Sequence, residues 1–280
     1  MEEKKKSIMV TWDFSNVSYN ALKHAIKMAH ILKYKIVLFH IVEDASEEEA
    51  ALKKMESAVD EIKKDLGEEV DSYVNHGKIF KEISDYASKE ENNVNFVVMG
   101  THGMKGRQKL FGSWALKVIA GSEVPFIVVQ NAPPDKDRYS DIVFPIDFKS
   151  ENKEKLQWAI FLGKYLNSKI HLYKAPISDK ALQKKVNINL NFAIRFLIQN
   201  NIDYEIHTSV KSGNFQKEIL SFSKRIKADL IMITTTKHIT KFDYIFGAKE
   251  QYLLSNNEKI PVMCVNPKSN FAKVSQFMYG

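Results

Sequence analysis

The sequence predicts an α/β protein made of two tandem Rossmann-like domains, each a five-stranded parallel sheet with helices on both faces. Short apolar runs alternate with longer segments that carry apolar residues at helical spacing, which is the pattern of parallel βαβ units. The same order of segments occurs twice along the 280 residues. We predict one domain at 1–132, a second at 139–267, and a tail at 268–280.

The first copy opens with a buried strand that ends in a carboxylate, Asp13. Ser15 offers a cap for the helix that follows, and a later amphipathic helix, preceded by an acidic run, is expected to end at Gly67. A third helix follows the third strand, and a fourth is expected at 112–120. The predicted strands of this copy are 7–13, 35–42, 70–74, 96–100 and 126–129.

A proline-rich polar segment, 131–137, separates this copy from the next and is typical of a linker. Beyond it, Asp147 stands at the place of Asp13, an offset of 134 (147 − 13). Other pairs with nearly the same offset are 170–173 with 36–39, Gly247 with Gly112, and Pro261 with Pro125. The nearly constant offset between equivalent residues, from the first strand to the last, indicates a tandem duplication.

Composition narrows the class of protein. A hydrophobic content of 44% is enough for two cores and excludes global disorder. The single cysteine, Cys264, excludes an intrachain disulfide and is predicted to be a buried strand residue. The net charge of +7 is spread among Lys/Glu helices without a basic stripe that contains aromatics, so no nucleic-acid partner is predicted.

The beginning of the chain lacks the apolar core of a signal peptide, and no apolar run reaches the length of a membrane span. We therefore expect a cytoplasmic protein with no membrane partner.

The loop after the fourth strand combines glycines, cations and the start of a helix. Glycine lets a ligand approach the main chain, as Gly100, Gly103 and Gly112 would permit. Ser113 can cap the next helix, whose first unpaired N–H groups attract an anion. The cations are Lys105, Arg107 and Lys109. The loop is therefore predicted to bind phosphate, and the alternative is an ordinary turn with a solvated basic face.

The second copy has lost most of these features. Thr234 and Lys237 replace Gly100 and Gly103, and Ala248 replaces Ser113. Threonine and lysine restrict the close approach that glycine permits. We therefore expect the ligand site in the first half and a mainly structural second half.

Together, these motifs resemble the universal stress protein family in a tandem form, with an adenine nucleotide alpha hydrolase-like fold. The segments that carry the resemblance are 13–15, 40–43, 98–103, 112–113 and 124–129. Nucleotide-binding members have a nine-residue spacer before the final Gly-Ser or Gly-Thr. Here the spacer, 104–111, has eight residues. Trp114 also stands where the family usually has a small aliphatic residue.

The resemblance implies a site for ATP, ADP or AMP, with or without Mg²⁺. Asp13 would lie near the adenine and ribose or near a metal on the phosphates, Ile41 would line the adenine slot, and Gly100 would border the ribose. The groups implied to hold phosphates are Gly103, Gly112, Ser113 and the amide of Trp114. The alternative role for Asp13 is a helix cap or turn former. The scattered histidines His40, His76 and His102 predict no metal site.

Two functions remain open from the sequence. One is a cytoplasmic stress-response protein that binds an adenine nucleotide in its first half, and the alternative is a scaffold of the same fold that binds an unknown protein partner and no nucleotide. The sequence contains no Walker motif and no convincing pair of nucleophile and base, so we do not predict an enzyme. Slow ATP hydrolysis would be compatible with nucleotide binding. The apolar strands 126–129 and 262–265 are expected to pair, which would make the halves an internal pseudo-dimer. A homodimer of the whole chain is also compatible with the sequence.

Overall fold

The computed structural model describes residues 5–101, 119, 122–148, 152–209, 214–235 and 248–266. The chain divides into two compact units, Met1–Asp137 and Arg138–Gly280. Within the described residues, no helix combines the length and the apolar character that crossing a membrane would require.

Strands and helices alternate through the first unit. Its elements are β1 (Ser7–Thr11), α1 (Asn16–Leu32), β2 (Lys35–Val42), α2 (Glu48–Leu66), β3 (Asp71–His76), α3 (Ile79–Ser88), β4 (Val94–Gly100) and β5 (Phe126–Val129). β1 ends two residues before the predicted Asp13, and Phe14 then adopts a left-handed φ of 63°. β3 continues to His76 because its pairing with β2 extends to Val42.

The five strands of this unit form a parallel sheet in the order β3-β2-β1-β4-β5. Successive residues of a strand point to opposite faces of the sheet. In β1, Ile8, Met9 and Val10 are all fully buried, so both faces of the central strand are covered. This burial on both sides is typical of a parallel sheet with helices on its two faces.

Two predicted helix ends are confirmed. The Ser15 side chain accepts a hydrogen bond from the Ser18 N–H and caps α1. Gly67 terminates α2 in the left-handed conformation, with a φ of 70°, and its N–H donates to the Lys63 carbonyl. Glycine suits this position because it has no Cβ to disfavour a positive φ.

The second unit repeats the architecture. Its elements are β6 (Asp141–Ile146), α4 (Asn152–Leu166), β7 (Lys169–Lys174), α5 (Lys180–Gln199), β8 (Tyr204–Thr208), α6 (Phe215–Arg225), β9 (Leu230–Thr234), α7 (Ala248–Leu254) and β10 (Val262–Val265). The strands are parallel in the order β8-β7-β6-β9-β10. Cys264 is fully buried in β10. The predicted α/β class with parallel sheets is confirmed.

Several predictions lie outside the described residues. They concern the helix at 112–120 apart from Ile119, the tail at 268–280, and the loop residues Gly103, Lys105, Arg107, Lys109, Gly112, Ser113, Trp114, Lys237 and Gly247. The pairing of 126–129 with 262–265 stays a prediction.

Candidate functional site

The carboxyl edge of the first sheet contains a topological switch point. The chain passes from β1 to β2 on one side and returns to β4 on the other side of β1. In open parallel sheets, ligands bind beyond the carboxyl ends of the strands at such a point. Asp13 follows β1, Ile41 is the penultimate residue of β2, and Gly100 is the last residue of β4. The structure therefore brings these three predicted site residues to one edge.

Asp13 shapes the turn between β1 and α1. Its Oδ1 accepts hydrogen bonds from the Ser15 N–H at 3.0 Å and from the Ser15 Oγ–H at 2.5 Å. This is the turn-forming role that the sequence left as an alternative. The turn also sets Ser15 as the cap of α1. The amino terminus of that helix therefore begins at the candidate site.

Gly100 is a glycine for a packing reason. A Cβ at this position would lie 2.3 Å from the Val17 carbonyl oxygen and 3.0 Å from the Ser18 nitrogen. Both obstructing atoms belong to the backbone of the first turn of α1, so they cannot rotate away. The end of β4 and the start of α1 are thus in direct contact, and the glycine needs no ligand to explain it.

The exit from β4 is also fixed. The Thr101 N–H donates to the Val129 carbonyl at 2.8 Å, and the residue is buried. Thr101 therefore leaves the end of β4 at a defined position.

Sequence reasoning missed an aromatic group beside Asp13. The Phe14 ring lies 4.7 Å from the His40 ring and 6.2 Å from the Trp12 ring, measured between centroids. The His40 Nδ1–H donates to the Trp12 carbonyl at 2.7 Å, and the Lys54 ammonium lies 4.0 Å from the centroid of Phe14. Two aromatic residues that flank a strand-end carboxylate were the sequence signal for this group.

The Trp12 indole is buried, and its Nε1 has no hydrogen-bond partner within the described part of the chain. A buried donor without a partner costs roughly 1–3 kcal/mol. An acceptor supplied at this edge would remove that cost. The position of Trp12 next to Asp13 makes the indole a candidate ligand contact.

Two other histidines of the first unit, His76 and His24, have separate partners. His76 Nδ1 lies 2.5 Å from the Glu48 carboxylate, and this hydrogen bond raises the pKa of His76. His24 is buried in α1, and its Nε2–H donates to the Asn131 carbonyl at 2.9 Å. His102 lies outside the described residues.

The corresponding edge of the second unit is built differently. Thr234, the last residue of β9, takes the place of Gly100. The Asp147 carbonyl accepts a hydrogen bond from Asn189 Nδ2 at 2.9 Å. At Thr234 and Asp147, the carboxyl edge of the second sheet therefore differs from that of the first in side chain and in hydrogen bonding.

Comparison with known proteins agrees with this architecture. Universal stress protein MJ0531 of Methanocaldococcus jannaschii is 28% identical over 145 residues, which cover 45% of this chain and 82% of that protein. A crystal structure of a universal stress protein from Archaeoglobus fulgidus DSM 4304 covers 93% of this chain and 96% of its own, with a TM-score of 0.73 and 18% identity. That similarity shows a shared fold across both units.

A shorter universal stress protein from Archaeoglobus fulgidus was solved in complex with dAMP. It covers 45% of this chain and 98% of its own, with 17% identity and a TM-score of 0.37. Residues 5–130 also match the model of the Universal stress protein family. The first unit is therefore similar to the Universal stress protein family over nearly all of its length.

Proposed function

We propose that the first unit binds an adenine nucleotide (ATP, ADP or AMP, with or without Mg²⁺) at the carboxyl edge of its sheet. The observation that carries the proposal is the switch point between β1 and β4. At this point β4 ends in Gly100, which is the first residue of the glycine-rich segment 100–113. Adjacent main-chain N–H groups at a loop and a helix start form a site for phosphate.

The described residues fit the other parts of a nucleotide. Ile41 supplies an apolar contact for a base, and the half-buried ring of Phe14 adds a flat surface on which a base can stack. Asp13 supplies a carboxylate for ribose hydroxyls or a metal. Gly103, Gly112, Ser113 and the Trp114 amide are the proposed phosphate contacts.

We propose binding, with no catalytic residue assigned. A universal stress protein that holds a nucleotide without turning it over would act as a cytoplasmic stress-response component through its bound state. Slow hydrolysis of bound ATP would be compatible with this proposal, whereas turnover that is lost in Asp13→Ala while binding persists would favour an enzyme.

Isothermal titration of the full chain with ATP, ADP, AMP and dAMP tests the proposal. We expect one nucleotide per chain. Removing a hydrogen bond to a charged phosphate with Ser113→Ala should weaken affinity about tenfold. The matched control is Ser57→Ala, which removes an exposed hydroxyl on α2 and should leave affinity unchanged. Absence of binding at millimolar nucleotide would contradict the proposal.

The second candidate function is that of a scaffold, which would bind a protein partner and no nucleotide. The eight-residue spacer and Trp114 favour it, and the packing reason for Gly100 removes one argument for a ligand. The variant Trp114→Ala separates the two functions. Nucleotide binding by this variant but not by the natural protein would show that the indole blocks the pocket and would support the scaffold.

A further inference from the structure

We propose a second site, for a divalent transition metal such as Zn²⁺, in the second unit. Its ligands are His171, Glu205 and His207, and Asp141 holds His171 in position. The three ligand residues each offer one atom, and these atoms all lie within 4.8 Å of one another. The site is independent of the proposed nucleotide site.

Adjacent strands create the cluster. His171 of β7 is the register partner of Glu205 of β8, and His207 follows two residues later. Residues two apart in a strand share a face, so Glu205 and His207 project from the same side of β8. Asp141 is the first residue of the neighbouring β6. No local sequence motif reveals this group, because its members come from three separate strands.

The distances suit coordination. His171 Nδ1 and His207 Nε2 lie 3.2 Å apart. Zinc binds imidazole nitrogen at about 2.0–2.1 Å, so two nitrogens on a tetrahedral ion are separated by about 3.3 Å. Glu205 Oε1 is 3.8 Å from His207 Nε2, and Oε2 is 3.9 Å from His171 Nδ1. A small rotation of this exposed carboxylate would complete three ligands, with water as the fourth.

Asp141 orients the first ligand. His171 Nε2–H donates to Asp141 Oδ1 at 2.9 Å. With its proton on Nε2, neutral His171 directs the lone pair of Nδ1 toward His207. A carboxylate that holds the second nitrogen of a ligand histidine is the usual arrangement around protein-bound zinc.

The surroundings favour a single ion with one open side. His171 is buried, His207 is partly buried, and the ring of Phe222 on α6 lies 4.5 Å from the His207 ring. Lys169 Nζ is 3.0 Å from Glu205 Oε2, which leaves Oε1 on the side of His207. Two imidazoles and one carboxylate select Zn²⁺, Co²⁺, Ni²⁺ or Cu²⁺ over Mg²⁺ and Ca²⁺.

The first unit shows that the fold does not require these side chains. At the offset of 134, Val37 stands for His171 (171 − 37) and Tyr73 stands for His207 (207 − 73). The ion pair is kept, since Lys35 Nζ lies 3.8 Å from the Asp71 carboxylate. At these equivalent strand positions, the second unit therefore combines the shared ion pair with two imidazoles, and the first unit does not.

Equilibrium dialysis of the full chain without an affinity tag against Zn²⁺, followed by metal analysis, tests the proposal. We expect one Zn²⁺ per chain, and Co²⁺ should give the strong visible absorption of a tetrahedral site. The double variant His171→Val/His207→Tyr, which installs the first-unit residues, should lose this metal. Asp141→Asn should weaken binding about 10–100-fold.

Two controls keep the test decisive. His76→Gln removes a first-unit histidine that contacts one carboxylate, and it should leave the metal content unchanged. If the double variant fails to fold, His207→Gln at the partly exposed position decides the outcome in its place. A natural protein without stoichiometric Zn²⁺, or a His207→Gln variant that binds Zn²⁺ equally well, would show that the cluster is only a hydrogen-bonded network.

Discussion

The two units have the same strand order but different side chains at a few equivalent positions. Gly100 corresponds to Thr234, and the buried His24 corresponds to the buried Trp158. Each pair has the same offset of 134 (234 − 100 and 158 − 24). The shared apolar pattern is enough to specify two sheets of one topology. The chemistry of each unit depends on single residues that this pattern does not constrain.

We expect the largest loss of stability when Gly100 of the first unit is replaced by threonine, the residue found at the equivalent position of the second unit. Gly100→Thr places a Cβ 2.3 Å from the Val17 carbonyl oxygen. We expect a loss of about 3 kcal/mol in the free energy of unfolding, because backbone atoms must move. Urea unfolding measures it, with Thr234→Ala as the control. An unchanged urea midpoint for Gly100→Thr would show that the close contact is absent in solution.

A smaller effect should appear as a pH dependence that comes from His24 in the first unit, where the second unit has the non-titrating Trp158. Burial lowers the pKa of His24 from 6.5 to about 4. The unfolded chain therefore takes up a proton below about pH 6.5 while the folded chain does not, so stability is full above this pH and falls as the pH decreases toward 4. Between pH 7 and pH 5, this histidine should lower the free energy of unfolding by about 2 kcal/mol.

The comparison of urea unfolding for the natural protein and His24→Gln isolates this contribution from that of the carboxylates. Glutamine can donate to the Asn131 carbonyl but does not titrate. The variant should lose about 2 kcal/mol less than the natural protein over this pH range. Equal losses in both proteins would show that His24 does not stay neutral in the fold.

The smallest effect should come from Gly163→Ala, which installs the residue that the first unit has at Ala29 (163 − 29 = 134). The new Cβ would lie 2.5 Å from Ile202 Cγ2, a side-chain atom that can rotate. Alanine also gains about 1 kcal/mol over glycine within a helix. We expect a net change within about 1 kcal/mol in urea unfolding. A loss as large as that of Gly100→Thr would mean that Ile202 cannot adjust.

The sequence predicted the elements whose signals are local or repeated. β2 has its predicted bounds at 35–42, and Gly67 ends α2 as expected. Parallel pairing followed from the alternation of apolar runs and helices. The duplicated order then made the prediction for one unit apply to the other.

The parts that could not be predicted depend on side chains brought together from distant segments. Gly100 was interpreted as a ligand residue, but its contact with Val17 is a property of tertiary packing. That the indole Nε1 of Trp12 has no hydrogen-bond partner among the described residues depends on what surrounds the ring in space. His171 and His207 are 36 residues apart (207 − 171) and meet only because β7 pairs with β8.

The central claim is that a nucleotide binds at the switch point of the first unit. A crystal structure of the full chain grown with ATP tests it most directly. We predict one nucleotide with its phosphates against residues 100–113 and its base near Ile41. Crystals that show this edge without nucleotide at millimolar ATP, or a nucleotide held only by the second unit, would contradict the account.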